Sequence, residues 1–280
     1  MLYNAKNGTV PIDDTEMCYV SFGHGKKALA VLPGLSDGLA TVNGKALILA
    51  PPYREYFDKY TVYMFSRRND LPQGFTIRDM AADQARALKA LGIEKTAVMG
   101  VSQGGMIAQY IAVDYPEMVE KLVLVVTAPR AGELGSKCIN DWIAFAEKGD
   151  HQQLMIDTAE KSYSPEKLKK YRRAYPVLGH VGKPKSYDRF LANARAILRF
   201  DATDDIKKIG CPTLIIGGGE DKIVGAEASR ELKSLIPGSR LIMYPELGHA
   251  LYEEAKGFYK QVFDFLESVN QHLFPHRAEF

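Results

Sequence analysis

The sequence predicts an α/β protein: a mostly parallel, doubly wound sheet with an inserted helical cap. Two observations carry that expectation. Short uninterrupted apolar runs alternate with amphipathic stretches through both ends of the chain, and strands buried on both faces are typical of a parallel sheet covered by helices. Between residues 131 and 200 the alternation stops and no convincing β run occurs. The expected organisation is a core made of 1–130 and 201–280, with 131–200 forming the cap.

Taken in order, Thr15–Phe22 alternates as a strand and stops at the turn signal Gly23-His24-Gly25. Ala28–Leu32 is a short apolar run closed by Pro33-Gly34, and Thr61–Phe65 is a further β-rich run. Thr76–Leu91 places Ile77, Met80, Ala81, Ala85, Leu88 and Leu91 at helical spacing, with Gly92 as the stop. Lys95–Met99 reads as a buried strand, Gln103–Tyr115 as a helix closed by Pro116, and Leu122–Val126 as another strand. After the interruption come a strand at Pro212–Ile216, a helix at Ala226–Leu235, a strand at Arg240–Tyr244 and a final helix at Phe258–Leu273.

Composition excludes several classes. The 280 residues are 46% hydrophobic and 25% charged, ordinary values for a globular chain long enough to bury a sizeable core. A formal charge of +2 gives no pull toward nucleic acid or an anionic membrane. No segment approaches the ~18 apolar residues of a membrane helix, and the N-terminus lacks the pattern of a signal peptide. A cytoplasmic protein acting on a small molecule is expected. Cys18, Cys138 and Cys211 lie far apart with no ligand spacing, so they read as free thiols and no metal is implied. The 131–200 segment carries 13 basic and 8 acidic residues. Its run at 167–173 reads as a solvated helix face rather than a docking site for an acidic partner.

The chemistry centres on Met99-Gly100-Val101-Ser102-Gln103-Gly104-Gly105. A G-x-S-x-G pattern is weak alone, but here a strand precedes it and a helix follows. That context matches a nucleophile on a sharp turn, where bulky neighbours would collide. A serine hydroxyl needs a base. Of six histidines, His249 lies in the loop after the strand Arg240–Tyr244, whereas His24, His151, His180, His272 and His276 lie at no strand end near Ser102. The base needs an acid to hold its tautomer. Asp221 follows Pro212–Ile216 through three glycines and Glu220, and Glu220 is its nearest competitor.

With these motifs in view, the chain resembles the α/β-hydrolase fold superfamily with a helical cap. The carriers are LPGLSDG at Leu32–Gly38, GVSQGG at Gly100–Gly105, PTLIIGGGEDKIV at Pro212–Val224 and ELGHAL at Glu246–Leu251. Ser102, Asp221 and His249 follow in the chain order of that fold. The resemblance implies a serine hydrolase with no cofactor or metal, and its relatives span esterases, enol-lactonases, carbon–carbon bond hydrolases, haloperoxidase-like enzymes and amidases. Dehalogenases and epoxide hydrolases of the fold carry aspartate where Ser102 stands. It also implies an oxyanion hole from the backbone N–H groups of Gln103 and Leu35. Many relatives have His-Gly where this chain has Pro33-Gly34, so a histidine-anchored loop does not carry over. Ser36 and Asp37 lie in the same loop and could face the pocket, with capping of its turn the expectation preferred for both.

The leading expectation is an ester or lactone hydrolase. An amide or carbon–carbon bond hydrolase or lyase with the same triad remains open, as does a non-catalytic small-molecule binder. Trp142, Phe145, Tyr163, Tyr171, Tyr175, Tyr187 and Phe190 are candidate pocket walls, a minority of them touching substrate. Arg172, Arg173 and Arg189 could hold a substrate carboxylate, with surface solvation the expectation preferred for each.

Overall fold

The structure, a computed structural model, describes residues 2–268. Eight strands form one sheet: β1 Lys6–Ile12, β2 Thr15–Gly23, β3 Lys27–Leu32, β4 Tyr60–Arg68, β5 Thr96–Val101, β6 Val119–Val125, β7 Thr213–Gly218 and β8 Arg240–Tyr244. Their order is β1-β2-β4-β3-β5-β6-β7-β8. The β1–β2 and β2–β4 pairs are antiparallel and every later pair is parallel. Every residue of β5 and β7 is buried, as expected for strands covered on both faces. β1 was not visible as a strand in the sequence. It is an edge strand with mixed polar exposure, carrying Gly8 and Pro11, and edges tolerate both residues.

Helices cover both faces. The core on one face includes residues of α2 Ile77–Ala90, α3 Gln103–Asp114 and α8 Ala226–Leu235. The core on the other takes Ala46 of the short α1 (Ala46–Leu49), Leu251 of the short α9 (Leu251–Glu254) and the apolar side of α10 Phe258–Glu267. α2 starts one residue later than expected because Thr76 is its cap: Thr76 Oγ1 accepts from the Asp79 N–H at 3.1 Å, and the Asp79 carboxylate accepts from the Thr76 N–H at 2.8 Å. Such a cap contributes about 1 kcal/mol. The end expected for the final helix, at Leu273, lies outside the described residues, as do His272 and His276.

Between β6 and β7 the chain leaves the sheet and forms α4 Glu133–Glu147, α5 His151–Ser162, α6 Pro165–Tyr171 and α7 Asp188–Leu198. Residues 131–200 form no strand, and an isolated bridge between Arg130 and Asp201, just outside them, closes the base of the insertion. The first buried face of this insertion, through Ile139, Trp142, Leu154, Phe190 and Ile197, is continuous with the core over α2 and α3. No helix among the described residues is long and apolar enough to cross a membrane.

Candidate active site

β5 ends at Val101 and α3 begins at Gln103, leaving Ser102 as the single residue of the turn. Its φ of 54° and ψ of −120° lie outside the regions an L-residue favours. The surroundings hold it there. Its N–H donates to the Val125 carbonyl at 2.9 Å, and its own carbonyl accepts from Thr127 Oγ1 at 2.7 Å and from the Gly105 N–H at 2.8 Å. Glycine is required on both sides for space. A Cβ on Gly100 would lie 2.6 Å from the Gly105 Cα, and one on Gly104 would run into the Leu32 carbonyl oxygen.

The three side chains singled out in the sequence meet. Ser102 Oγ lies 2.9 Å from His249 Nε2, and His249 Nδ1 lies 2.8 Å from Asp221 Oδ2. The other Asp221 oxygen accepts from the Ile223 and Val224 N–H groups at 2.8 and 3.0 Å. Burial pushes the Asp221 carboxyl up. The His249 charge and hydrogen bond and the two backbone donors outweigh burial and hold it below its ordinary value. An ionised carboxylate only accepts, so Nδ1 carries a proton, and in the neutral imidazole Nε2 then presents its lone pair to the Ser102 hydroxyl. Asp221 and His249 are buried, whereas Glu220 is exposed. The remaining described histidines lie elsewhere. His24 pairs with Asp58 on the surface, His151 is buried in the insertion against the Val181 carbonyl, and His180 is exposed.

Above Ser102 is a pocket that opens to solvent. Leu35, Met106, Ile139, Trp142, Ile197 and Ile223 form most of its wall. Arg130 is the one charged lining residue among those described, and its guanidinium donates to Glu231 Oε1 at 3.1 and 2.9 Å. The Trp142 N–H is satisfied within the insertion by Asp157 at 2.7 Å, which leaves its ring as an apolar wall. Of the seven aromatic wall candidates only Trp142 lines the pocket; Phe190 packs on Gly38, and Tyr171 meets Tyr163 at a tilt and Tyr175 edge-on. Among the described residues no group of three His, Cys, Asp or Glu side chains is placed to hold a metal ion.

Leu35 also lines this pocket, and a Cβ on Gly34 would lie 3.3 Å from the Ser102 Cβ, so this loop runs over the serine. The Leu35 and Gln103 N–H groups donate to no other described residue. Beneath the loop is a charged network that sequence reasoning missed. Arg67, at the end of β4, is fully buried and donates to the Pro33 carbonyl at 2.6 Å, the Gly34 carbonyl at 3.3 Å and Gln103 Oε1 at 3.1 Å. Gln103 Nε2 donates onward to the Asn193 carbonyl of α7 at 3.0 Å. Asp37 Oδ2 accepts from the Arg67 N–H at 3.0 Å and from Arg189 of α7 at 2.6 Å.

Two expectations change here. Arg189 is neither solvated nor aimed at substrate: it is 16% exposed and spent on Asp37 and the Arg67 and Arg68 carbonyls. Asp37 does more than cap a turn, since it is the buried counter-charge of two arginines. Burial pushes the Asp37 carboxyl up, but the Arg189 and Arg67 charges outweigh it and hold it below its ordinary value. Burial draws the Arg67 guanidinium down to about 10, so it stays charged at neutral pH. Arg172, by contrast, is exposed and paired with Glu160, and Arg173 is exposed, as expected for a solvated face.

A family model for the alpha/beta hydrolase fold matches residues 60–256. The chain belongs to the alpha/beta hydrolase fold family. Among its relatives is a Klebsiella pneumoniae protein named as a carbamate hydrolase, RutD, 30% identical over 64% of this chain and 68% of its own length. A Caulobacter protein of the same name is 26% identical over 83% of this chain and 89% of its own length. Solved alpha/beta hydrolase structures superpose over nearly the whole chain. The enol-lactonase of Burkholderia xenovorans gives a TM-score of 0.80 at 21% identity, covering 93% of this chain and all of its own. MGS-M2, an alpha/beta hydrolase from a Medee basin deep-sea metagenome library, gives 0.81 at 20% identity, covering 94% and 98%.

Proposed function

We propose that the protein is a serine hydrolase acting on a small carboxylic ester or lactone with a compact apolar acyl group. The observation that carries this reading is the hydrogen-bonded chain from Asp221 through His249 to a strained Ser102 at the floor of an apolar pocket. Ser102 Oγ attacks the carbonyl carbon while His249 Nε2 takes the hydroxyl proton, and ionised Asp221 stabilises the imidazolium. The Leu35 and Gln103 N–H groups receive the oxyanion, a contribution of ~3–4 kcal/mol per donor. His249 returns the proton to the leaving oxygen, and water then releases the acid from the acyl-enzyme. In this reading the 131–200 segment is a cap, and its Ile139, Trp142 and Ile197 select the acyl group.

A fluorophosphonate probe tests the nucleophile. Labelling of the wild type and none of Ser102→Ala is expected; equal labelling of both would sink the assignment. The names of the curated relatives favour a second substrate, a carbamate, which presents the same kind of carbonyl to the same atoms. A panel of short esters, lactones, carbamates and amides separates the two. Fastest turnover of an ester or lactone supports the first reading, and fastest turnover of a carbamate replaces it.

A further inference from the structure

We propose that Arg67 is a positioning residue for the oxyanion hole, orienting both of its donors, and that Arg189 and Asn193 of α7 make the helical insertion part of that device. The inference rests on the serine-hydrolase reading above.

The reason is the planarity of the peptide bond. The Gly34 carbonyl and the Leu35 N–H belong to one peptide plane and point in opposite directions across it. A guanidinium that holds the Gly34 oxygen from below therefore turns the Leu35 N–H away from itself. The same guanidinium holds the preceding carbonyl, Pro33, so one group grips two successive peptides of the loop, and the Asp37 N–H adds a second bond to the Gly34 oxygen at 3.2 Å. Pro33 has no N–H with which the loop could anchor itself. The second donor is tied to the same arginine. Gln103, fully buried, is gripped at its Oε1 by Arg67 and at its Nε2 by the Asn193 carbonyl. Its side chain cannot turn without breaking both bonds, so the backbone N–H at the head of α3 is held as well.

Charge adds a second effect. Two guanidinium groups share one carboxylate, Asp37, leaving a net positive charge buried beneath the loop. A charge-assisted bond to the Gly34 oxygen polarises that peptide and strengthens its N–H as a donor. Negative charge developing on the substrate oxygen in the transition state is the state that gains. The ground-state ester gains little, so the effect belongs in kcat.

The test compares Arg67→Lys with the wild type on the best substrate of the panel, alongside binding of an alkyl boronic acid, which forms a tetrahedral anion on the serine. The lysine keeps the charge but lacks the planar fork that holds three acceptors at once. The expected result is a fall in kcat of about 10- to 100-fold with KM within about twofold, and a matching loss of boronate affinity. Arg189→Met, which leaves Arg67 in place, should move both readouts in the same direction by less. A KM increase at constant kcat, a kcat loss without loss of boronate affinity, or wild-type behaviour would each overturn the proposal. Should Arg67→Lys not fold, Gln103→Met, which releases the second donor without touching a charge, is read by the same criteria. A wild type that binds no boronate and turns over nothing would instead defeat the serine-hydrolase reading.

Discussion

The sheet edge that carries Ser102, Asp221 and His249 and the helical insertion that roofs it are built on different principles. At the sheet edge each side chain is set by its own short loop. Ser102 sits between β5 and α3, Asp221 two residues past the Gly219 that follows β7, and His249 five past β8. The Asp221 carboxylate is further held by the Ile223 and Val224 N–H groups, two and three residues on. The insertion has no such local logic. One flank, α7, enters the protein as a charged helix and buries Arg189 against Asp37. The other flank ends at α6 and meets the surface through Tyr163 on Glu253 and Ser164 on Glu254, while the Ser162 carbonyl accepts from the Ala250 N–H next to His249. On the proposed reading, the difference teaches that the sheet edge would carry the reacting groups, while the insertion walls the pocket and reaches the chemistry only through the loop it braces.

Variants can break that separation or sharpen it. The largest effect is expected from Ser102→Ala, with kcat falling on the order of 10⁴- to 10⁶-fold while the melting temperature holds or rises, since the turn keeps its bonds and loses only a hydroxyl. A large fall in stability instead would mean that the serine is a structural cap. Next comes Asp221→Asn, which keeps the shape but can present an N–H to His249 and so disturb its tautomer; a loss of about 10⁴-fold in kcat is expected from steady-state rates. If turnover survives within tenfold, the acid is not Asp221.

On the insertion side, Trp142→Leu should leave the rate on the shortest ester within a few-fold. Its effect should be a shift in preference toward bulkier acyl groups of about tenfold in kcat/KM, worth ~1.4 kcal/mol. An acyl-chain series measures it, and equal loss on all chains would tie Trp142 to the chemistry rather than to selection. The smallest effect is expected far from both regions, at Glu267 of α10. Although burial pushes its carboxyl up, bonds from Lys27, Lys59 and Tyr60 hold it down at about 2, against an ordinary 4.5. A lowered folded-state value adds stability that is whole above about pH 4.5 and is lost as pH falls toward 2. Glu267→Gln should therefore lower the melting temperature at pH 7 and converge with the wild type in acid, without altering kcat. A constant difference at all pH values would show that packing, not charge, is responsible.

Legibility in the sequence follows the range of the interactions. Strands β3, β5, β6 and β7 are readable because burial writes apolar runs into consecutive residues, whereas β1, an edge strand with a proline and mixed exposure, leaves no such trace. Ser102 was readable because close backbone approach demands glycine at fixed offsets, and Asp221 and His249 because each follows a strand by a few residues. Arg67 lies in the run Ser66-Arg67-Arg68-Asn69-Asp70, which looks like any solvated loop entry. A buried arginine announces itself only through its partners, and those are 30 or more residues away.

The sequence by itself determined the parallel sheet, the place of the helical insertion and the choice of Ser102, Asp221 and His249 as candidates that the fold brings together, because strand burial, turn sterics and chain order are local and leave periodic marks. Only the tertiary structure decided that the Asp37 loop, Arg67 of β4, Gln103 of α3 and Arg189 of α7 form one buried charged body under that loop. The physical reason is that desolvated charges must be paired wherever the fold brings them together, and no spacing along the chain records a pairing across 152 residues.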